Sequence, residues 1–425
     1  MAQSVAAAAG LRGSVMLPAD KSIAHRAAMF AAISTGCSTI GNFPESADPQ
    51  STLSCLRQLG VQISTAPGGK IEIEGVGKGG FQCPAMPLDC GNSGTTMRLL
   101  SGLMVGMPFA TTLIGDASLS RRPMRRIGHP LRAMGANLEL TDGCPPIRIT
   151  PVPHLRGITY TLPVPSAQVK SCVLLAGLWA KENTVVIEPV PSRDHTERML
   201  SLPIVHRRDG RHISSSRRVS PAGHTYSLPA DFSAAAFFLV AASIVGGSTI
   251  VLPGVGLNPT RTGLLDALRT MGADIDIAER RTSGGEPVGQ LTVRSAPLRS
   301  IQVAGSQIPG LIDEVPILAV AAACAEGRTL IRGAEELRVK ECDRIHATVH
   351  NLRLMGAEVE EFDDGMAITG GRPLRAAVMD SFHDHRIAMA MAIAGLVASS
   401  TSTIRGSDIA SVSFPGFWDA LAALR

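Results

Sequence analysis

The sequence predicts an α/β protein of two domains, each built from three copies of a βαβαββ-like module wrapped around a buried helix. Three observations carry this prediction. A chain of 425 residues exceeds one ordinary hydrophobic core, so two domains or one large one are required. A helix end followed by a strand recurs at Leu56–Val61, Leu131–Ala136, Leu268–Ala273 and Leu352–Ala357. In each, a glycine stands where a helix terminus needs a left-handed residue, and an alternating stretch such as Asn137–Leu140 or Asp274–Ile277 follows as a strand. Third, a short polar cluster precedes a strongly apolar run six times over.

The polar clusters are Asp20-Lys21-Ser22, Gly91-Asn92-Ser93-Gly94, Ser166-Ala167-Gln168, Asp231-Phe232-Ser233, Asp313-Glu314 and Asp384-His385-Arg386. The runs after them are Ala27–Ile33, Met97–Met104, Cys172–Leu178, Ala234–Ala242, Pro316–Ala325 and Ile387–Val397. A helix that is apolar all round belongs in a buried position, and sequence repetition on this scale marks a repeat architecture. The sixth module ends early, after Phe417–Leu421, so its missing strand is expected from the N-terminus, around Gly13–Leu17. Residues 18–229 then form an N-terminal domain, and residues 1–17 with 230–425 a C-terminal one. The third module lacks the usual helix end. It reads Met199-Leu200-Ser201-Leu202-Pro203 and runs into a basic stretch with Arg207, Arg208, Arg211, Arg217 and Arg218, expected as a solvated surface loop.

Composition narrows the function. Apolar residues make up 45% and charged residues 18% of the chain, which is globular rather than disordered. The net charge of +4 and the 4% aromatic content do not suit nucleic-acid binding, which uses basic runs interleaved with aromatics. A slight basic excess suits small anions. The eight cysteines form no CxxC pair, which argues for reduced thiols in a cytoplasmic protein and against a disulfide framework or a zinc site. Met1–Gly10 lacks the pattern of a secretory signal. The longest apolar runs are too short to span a bilayer.

The helix starts point to chemistry. The first N–H groups of a helix have no internal partner and carry partial positive charge. Six such starts gathered at a domain interface would form an anion pocket, furnished by Lys21, Arg26, Asn92, Gly94, Gln168 and Arg386. Cations mixed with amides suit phosphate and carboxylate, and a cleft of this kind would close on its ligand.

These clusters, with Gly115-Asp116-x₃-Ser120-Arg121-Arg122-Pro123-Met124 and Arg338-Val339-Lys340-Glu341-Cys342-Asp343-Arg344, resemble the 5-enolpyruvylshikimate-3-phosphate synthases from about Arg12 to Leu424. Asp20-Lys21-Ser22-x₃-Arg26 and Gly91-Asn92-Ser93-Gly94-Thr95 are specific in combination. The resemblance implies the two-domain enolpyruvyl transferase fold, in which each domain is an inside-out α/β barrel with parallel buried helices and the active site lies between the domains. It implies transfer of the enolpyruvyl group of phosphoenolpyruvate to the 5-hydroxyl of shikimate 3-phosphate, on the way to chorismate and the aromatic amino acids. No metal or other cofactor is implied, nor any nucleic-acid or membrane partner, and a monomer is expected. Glyphosate competes with phosphoenolpyruvate in this family.

Site residues follow from the same resemblance. Shikimate 3-phosphate contacts are Lys21, Ser22, Arg26, Ser166, Ala167, Gln168, Arg193, Asp313, Glu336 and Lys340. Phosphoenolpyruvate contacts are Lys21, Asn92, Gly94, Arg122, Gln168, Arg344 and Arg386. Asp313 is the candidate general base, and either Lys21 or Glu341 protonates the methylene carbon. Each assignment has a plainer alternative. Arg26 could be a surface arginine, Arg193 could pair with Asp194, Asp313 could cap the following helix, and Lys340–Arg344 could be an exposed helix face. His385 either supports Arg386 or is structural. Some relatives carry a serine at Ala167, an amide at Glu336 or a lysine at Val412, so those contacts differ here. The related transferase acting on UDP-N-acetylglucosamine places a reactive cysteine in the loop at Ser118–Met124, where this chain has none. A non-catalytic phosphometabolite binder would not need Asp313 beside Lys340-Glu341-x₂-Arg344.

Overall fold

The computed structural model describes residues 1–425. The chain divides into two compact units, each with its own hydrophobic core. An N-terminal unit comprises Ala19–Leu228 with Ser283–Glu286; a C-terminal unit comprises Met1–Pro18, Pro229–Thr282 and Pro287–Arg425. No helix is long and apolar enough to cross a membrane.

Six helices follow the six polar clusters. In the N-terminal unit they are α1 (Lys21–Ala32), α2 (Gly94–Met104) and α3 (Ala167–Ala176). In the C-terminal unit they are α4 (Phe232–Ile244), α5 (Val315–Cys324) and α6 (His385–Gly395). Every residue of α6, and all of α4 but Ile244, is buried, as helices with no polar face must be. The polar residue ahead of the helix explains where each begins. Asp20, Ser93, Ser166, Asp231 and Asp384 accept a hydrogen bond from the first-turn backbone of α1, α2, α3, α4 and α6 at 2.7–3.4 Å, satisfying a donor that would otherwise be orphaned. Helix α5 differs. Its cap position is Glu314, which makes no side-chain capping bond, and Pro316 removes one of the donors. Asp313 precedes the cap, in a single 3-10 turn, so the expectation that it caps the helix is wrong.

Five small four-stranded sheets and one three-stranded sheet accompany these helices. In the second module Leu88–Asp89 pairs parallel with Thr111–Ile114, which pairs antiparallel with Cys144–Thr150, itself antiparallel to Asn137–Thr141. Chain order is therefore strand, buried helix, strand, outer helix, strand, strand. The third and fifth modules repeat it. The first module borrows its opening strand, Thr225–Ser227, from the end of the N-terminal unit, which closes that unit on itself.

Two readings of the sequence need correction. The strand that fills the sixth module is Ala2–Val5, paired with Ser402–Arg405. Arg12–Ser14 instead opens the fourth module, parallel to Thr249–Val251. Only Val5 of the first strand is buried, so it shows no alternation to read. The segment after Met199 is not all loop: Ile204–Arg207 and Gly210–Ser215 are paired strands, while Arg208, Arg217 and Arg218 are exposed in turns. Ser201, at φ 49°, takes the left-handed position that glycine holds in the sister modules, and the Leu202 N–H closes the turn on the Glu197 carbonyl.

Helices α2 and α3 touch through Gly102. A Cβ built there would lie 2.3 Å from the Cys172 carbonyl oxygen, a backbone atom that cannot step aside. Gly102→Ala should therefore lower stability by about 1–3 kcal/mol. Gly246→Ala, with nothing within 4 Å, should stay within about 0.5 kcal/mol. Urea denaturation of the two variants measures the difference.

Candidate active site

In the N-terminal unit the first turns of α1, α2 and α3 come together, and their polar residues bond to one another. Lys21 is the first residue of α1, partly exposed, with Nζ 3.0 Å from Asp48 Oδ2. Ser22 is half-buried beside it. Arg26, one turn on, is only 2% exposed, so it is not a surface arginine. Its Nε donates to Thr196 Oγ1 at 2.7 Å, Nη2 to Ser171 Oγ at 2.8 Å and Nη1 to the Ser22 carbonyl at 2.8 Å. All three acceptors are neutral. Burial pushes this guanidinium down to about 10, only partly offset by Glu197 and Asp20 at longer range. A buried cation bonded only to dipoles is poised to take an anion.

Gln168 joins α3 to α2: its Oε1 accepts from Arg98 Nη1 at 2.6 Å and its Nε2 donates to Thr95 Oγ1 at 2.9 Å. Ser166 is used as the cap of α3, and Ala167 opens the helix, half-buried. Asn92 accepts from Arg122 Nη2 and donates to Asp116 Oδ2, both at 2.7 Å. Arg122 has the extended backbone that Pro123 demands (ψ 138°), while Arg121 is exposed. A Cβ on Gly94 would meet Arg98 Nη1 at 2.6 Å and Arg122 Nη1 at 3.6 Å. Two guanidinium groups thus flank a glycine at a helix start. Arg193 is half-buried in the turn ahead of a short helix, where Asp194 pairs with Arg198 at 2.8 Å and Arg211 at 3.8 Å.

The C-terminal unit gathers carboxylates and cations at the starts of α4, α5 and α6. Arg344, 2% exposed, is the hub: it reaches Asp384 Oδ2 at 2.7 Å, Glu341 Oε2 at 2.6 Å and Asp313 Oδ1 at 3.1 Å. Those carboxylates hold its proton more tightly than usual, against the opposing effect of burial. Its burial rules out an exposed helix face for Lys340–Arg344. Around Asp313 lie Lys340 Nζ at 3.9 Å and Arg386 Nη2 at 3.7 Å. Arg386 also donates to the Asp313 carbonyl at 3.2 Å and approaches Glu314 at 3.5 Å. His385 is buried at the start of α6. Glu336 sits half-buried in the turn Glu335–Val339, and Val412 ends the turn Ser407–Val412. The N-terminal group is rich in cations bonded to dipoles; the C-terminal group is a carboxylate-rich ionic mesh. The first is suited to holding anions, the second to holding them and moving protons.

Arg98 lies outside the motifs of the sequence. It stands four residues after Gly94, the spacing that links Ser22 to Arg26, so both arginines share a helix face with the residue at a polar start. That spacing was the available signal.

A family model described as EPSP synthase (3-phosphoshikimate 1-carboxyvinyltransferase) matches residues 5–421. The chain belongs to the EPSP synthase family. It is 57% identical over 425 residues to the 3-phosphoshikimate 1-carboxyvinyltransferase of Salinibacter ruber, with 99% of each chain covered. It is 51% identical over 418 residues to that of Xanthomonas campestris pv. campestris, covering 97% of this chain and 94% of the relative. Among solved structures, the EPSP synthase from Acinetobacter baumannii superimposes with a TM-score of 0.88 at 43% identity, covering 100% of this chain and 98% of the other. The enolpyruvyl transferase NikO from Streptomyces tendae gives 0.79 at 18% identity over 99% and 96% of the chains, which shows the shared fold.

Within this EPSP synthase fold the α1–α2 seam carries a pH signature. His25 Nδ1 lies 2.7 Å from Thr52 Oγ1, which in turn is 2.7 Å from Thr96 Oγ1, bonded to Ser93 Oγ at 2.8 Å. Burial pushes the imidazole down to about 3. Unfolding releases it to an ordinary value near 6.5, so the unfolded chain binds the extra proton between those limits and stability falls as pH drops from about 6.5 toward 3. His25→Gln should flatten this slope, as followed by thermal unfolding across that range.

Proposed function

We propose that this protein transfers the enolpyruvyl group of phosphoenolpyruvate to the 5-hydroxyl of shikimate 3-phosphate, releasing phosphate. The observation that carries the reading is Asp313: a carboxylate at a helix start, ringed by Lys340, Arg344 and Arg386 within 4 Å. Capture of an anion alone needs no carboxylate there. Family membership over the whole chain supplies the reaction.

Roles follow from charge and position. In the proposal, Lys21, Ser22, Arg26, Ser166, Gln168 and Arg193 hold shikimate 3-phosphate, with Ala167 contributing backbone only. Asp313, Glu336 and Lys340 serve the same substrate. Asn92, Gly94, Arg122 and Gln168 serve phosphoenolpyruvate with Arg344, Arg386 and Lys21. Proton delivery to the methylene carbon, from Lys21 or Glu341, makes the adjacent carbon electrophilic. The substrate hydroxyl attacks that carbon and passes its proton to Asp313. The tetrahedral intermediate then expels phosphate as the methyl group loses a proton and the double bond re-forms. The guanidinium groups steady the charge that develops on the phosphate and carboxylate.

The ion pairs add a condition to this scheme. Asp313 shares three cations, Lys340, Arg344 and Arg386, and in the proposal the anionic substrates compete with it for them. Small soluble substrates and eight free thiols support a cytoplasmic location, and nothing in the reaction calls for more than a monomer.

Phosphate release from phosphoenolpyruvate with either acceptor tests the proposal. Turnover is expected with shikimate 3-phosphate; turnover only with UDP-N-acetylglucosamine, or tight binding without turnover, would overturn it. Asp313→Ala should retain shikimate 3-phosphate yet turn over at least about a hundredfold more slowly.

A further inference from the structure

Beneath the turn that carries Arg193 lies a group of charges that the proposed chemistry leaves unused. Lys170, Glu188 and Glu197 have 0% of their side chains exposed. Lys170 Nζ lies 2.8 Å from Glu188 Oε1, 2.7 Å from Glu197 Oε1 and 3.3 Å from the Ser192 carbonyl. Glu188 accepts from the Ser192 N–H at 2.9 Å and also takes the Ser192 hydroxyl. Arg211 completes the group, with Nε 3.1 Å from Glu188 Oε2 and Nη2 3.3 Å from the Ser192 carbonyl. Burial works against the Glu188 carboxylate, yet Lys170, Ser192 and Arg211 hold it below the ordinary range.

The sister helices show that the fold does not need a charge here. Counting from the cap, the fourth helical residue is Ala24 in α1, Met97 in α2, Ala235 in α4, Leu318 in α5 and Ala388 in α6. Only α3 places a cation at that depth, Lys170. Desolvating such ions costs several kcal/mol each, and well-packed apolar residues usually serve stability as well or better. What the charges achieve, and apolar residues would not, is to fix the peptide groups of Ser192 from both sides. Four residues on, Thr196 is fixed by Arg26 and Ser171 at 2.7 Å each. Both ends of Ser192–Thr196 are therefore clamped, with Arg193 between them.

We infer that Lys170, Glu188, Glu197 and Arg211 form a positioning network that sets the Arg193 turn for the phosphate group of the acceptor. The inference rests on the proposed binding of shikimate 3-phosphate. These residues touch no substrate; they act through the backbone of Ser192.

Calorimetric titration of shikimate 3-phosphate and of shikimate, with steady-state kinetics, tests it on the full-length protein. In Lys170→Met and Arg211→Met, affinity for shikimate 3-phosphate should fall at least about tenfold. Affinity for shikimate and the KM for phosphoenolpyruvate should stay within about twofold, and kcat at saturation within about threefold. Arg211→Lys should restore part of the lost affinity. Arg211 is 13% exposed, so its variants decide the matter if Lys170→Met does not fold. Unchanged preference for the phosphorylated acceptor in a folded variant, or equal loss for both acceptors, would overturn the inference. Wild-type protein that binds both acceptors equally would instead overturn the phosphate reading beneath it.

Discussion

A helix with no polar face can be buried along its length but not at its beginning. Its first N–H groups remain without partners inside the helix, and the module places that beginning among others of its kind. In each unit three such starts meet, seen in the Gln168 bonds to Arg98 and Thr95 and in the Arg386 contacts to Asp313 and Glu314. The need to furnish these starts with polar groups is the constraint from which the site grows. Caps satisfy one donor each. The charged and amide side chains beside them are then available for a ligand.

The two units meet this constraint in opposite ways. Around α1–α3 the buried arginine, Arg26, bonds to hydroxyls and a carbonyl, leaving its charge unneutralised at contact distance. Around α4–α6 the most buried arginine, Arg344, contacts three carboxylates. A buried cation without a counter-ion costs stability that an arriving anion can recover. A buried cation saturated with carboxylates is stable alone, and an incoming anion must compete for it.

Much of this was legible in the sequence, for definite reasons. Runs such as Ala234–Ala242 have no polar face, so burial was readable, and Asp20, Ser93, Ser166, Asp231 and Asp384 signalled helix starts by residue type. Gly60, Gly135, Gly272 and Gly356, all at positive φ, marked outer helix ends. Less was readable where another residue type took over a role. Ser201 stands in for glycine, which disguised the third module and made its hairpin look like a loop. Ala2–Val5 buries one side chain, so pattern could not place it in the sixth module. Arg98 and Arg211 looked like ordinary charges because what distinguishes them is long-range pairing, with Gln168 in one case and Glu188 in the other. Local sequence does not encode such partners.

On the proposed function, the N-terminal unit keeps a buried positive charge, Arg26, in reserve for a phosphorylated ligand. Replacing Arg26 with methionine and measuring both shikimate 3-phosphate affinity and unfolding midpoint tests it most directly. Affinity should drop by about tenfold to a hundredfold, the scale of one or more charge-assisted hydrogen bonds, while stability holds or rises. Affinity unchanged with stability lost would mean that Arg26 is a structural strut, and the account would be wrong.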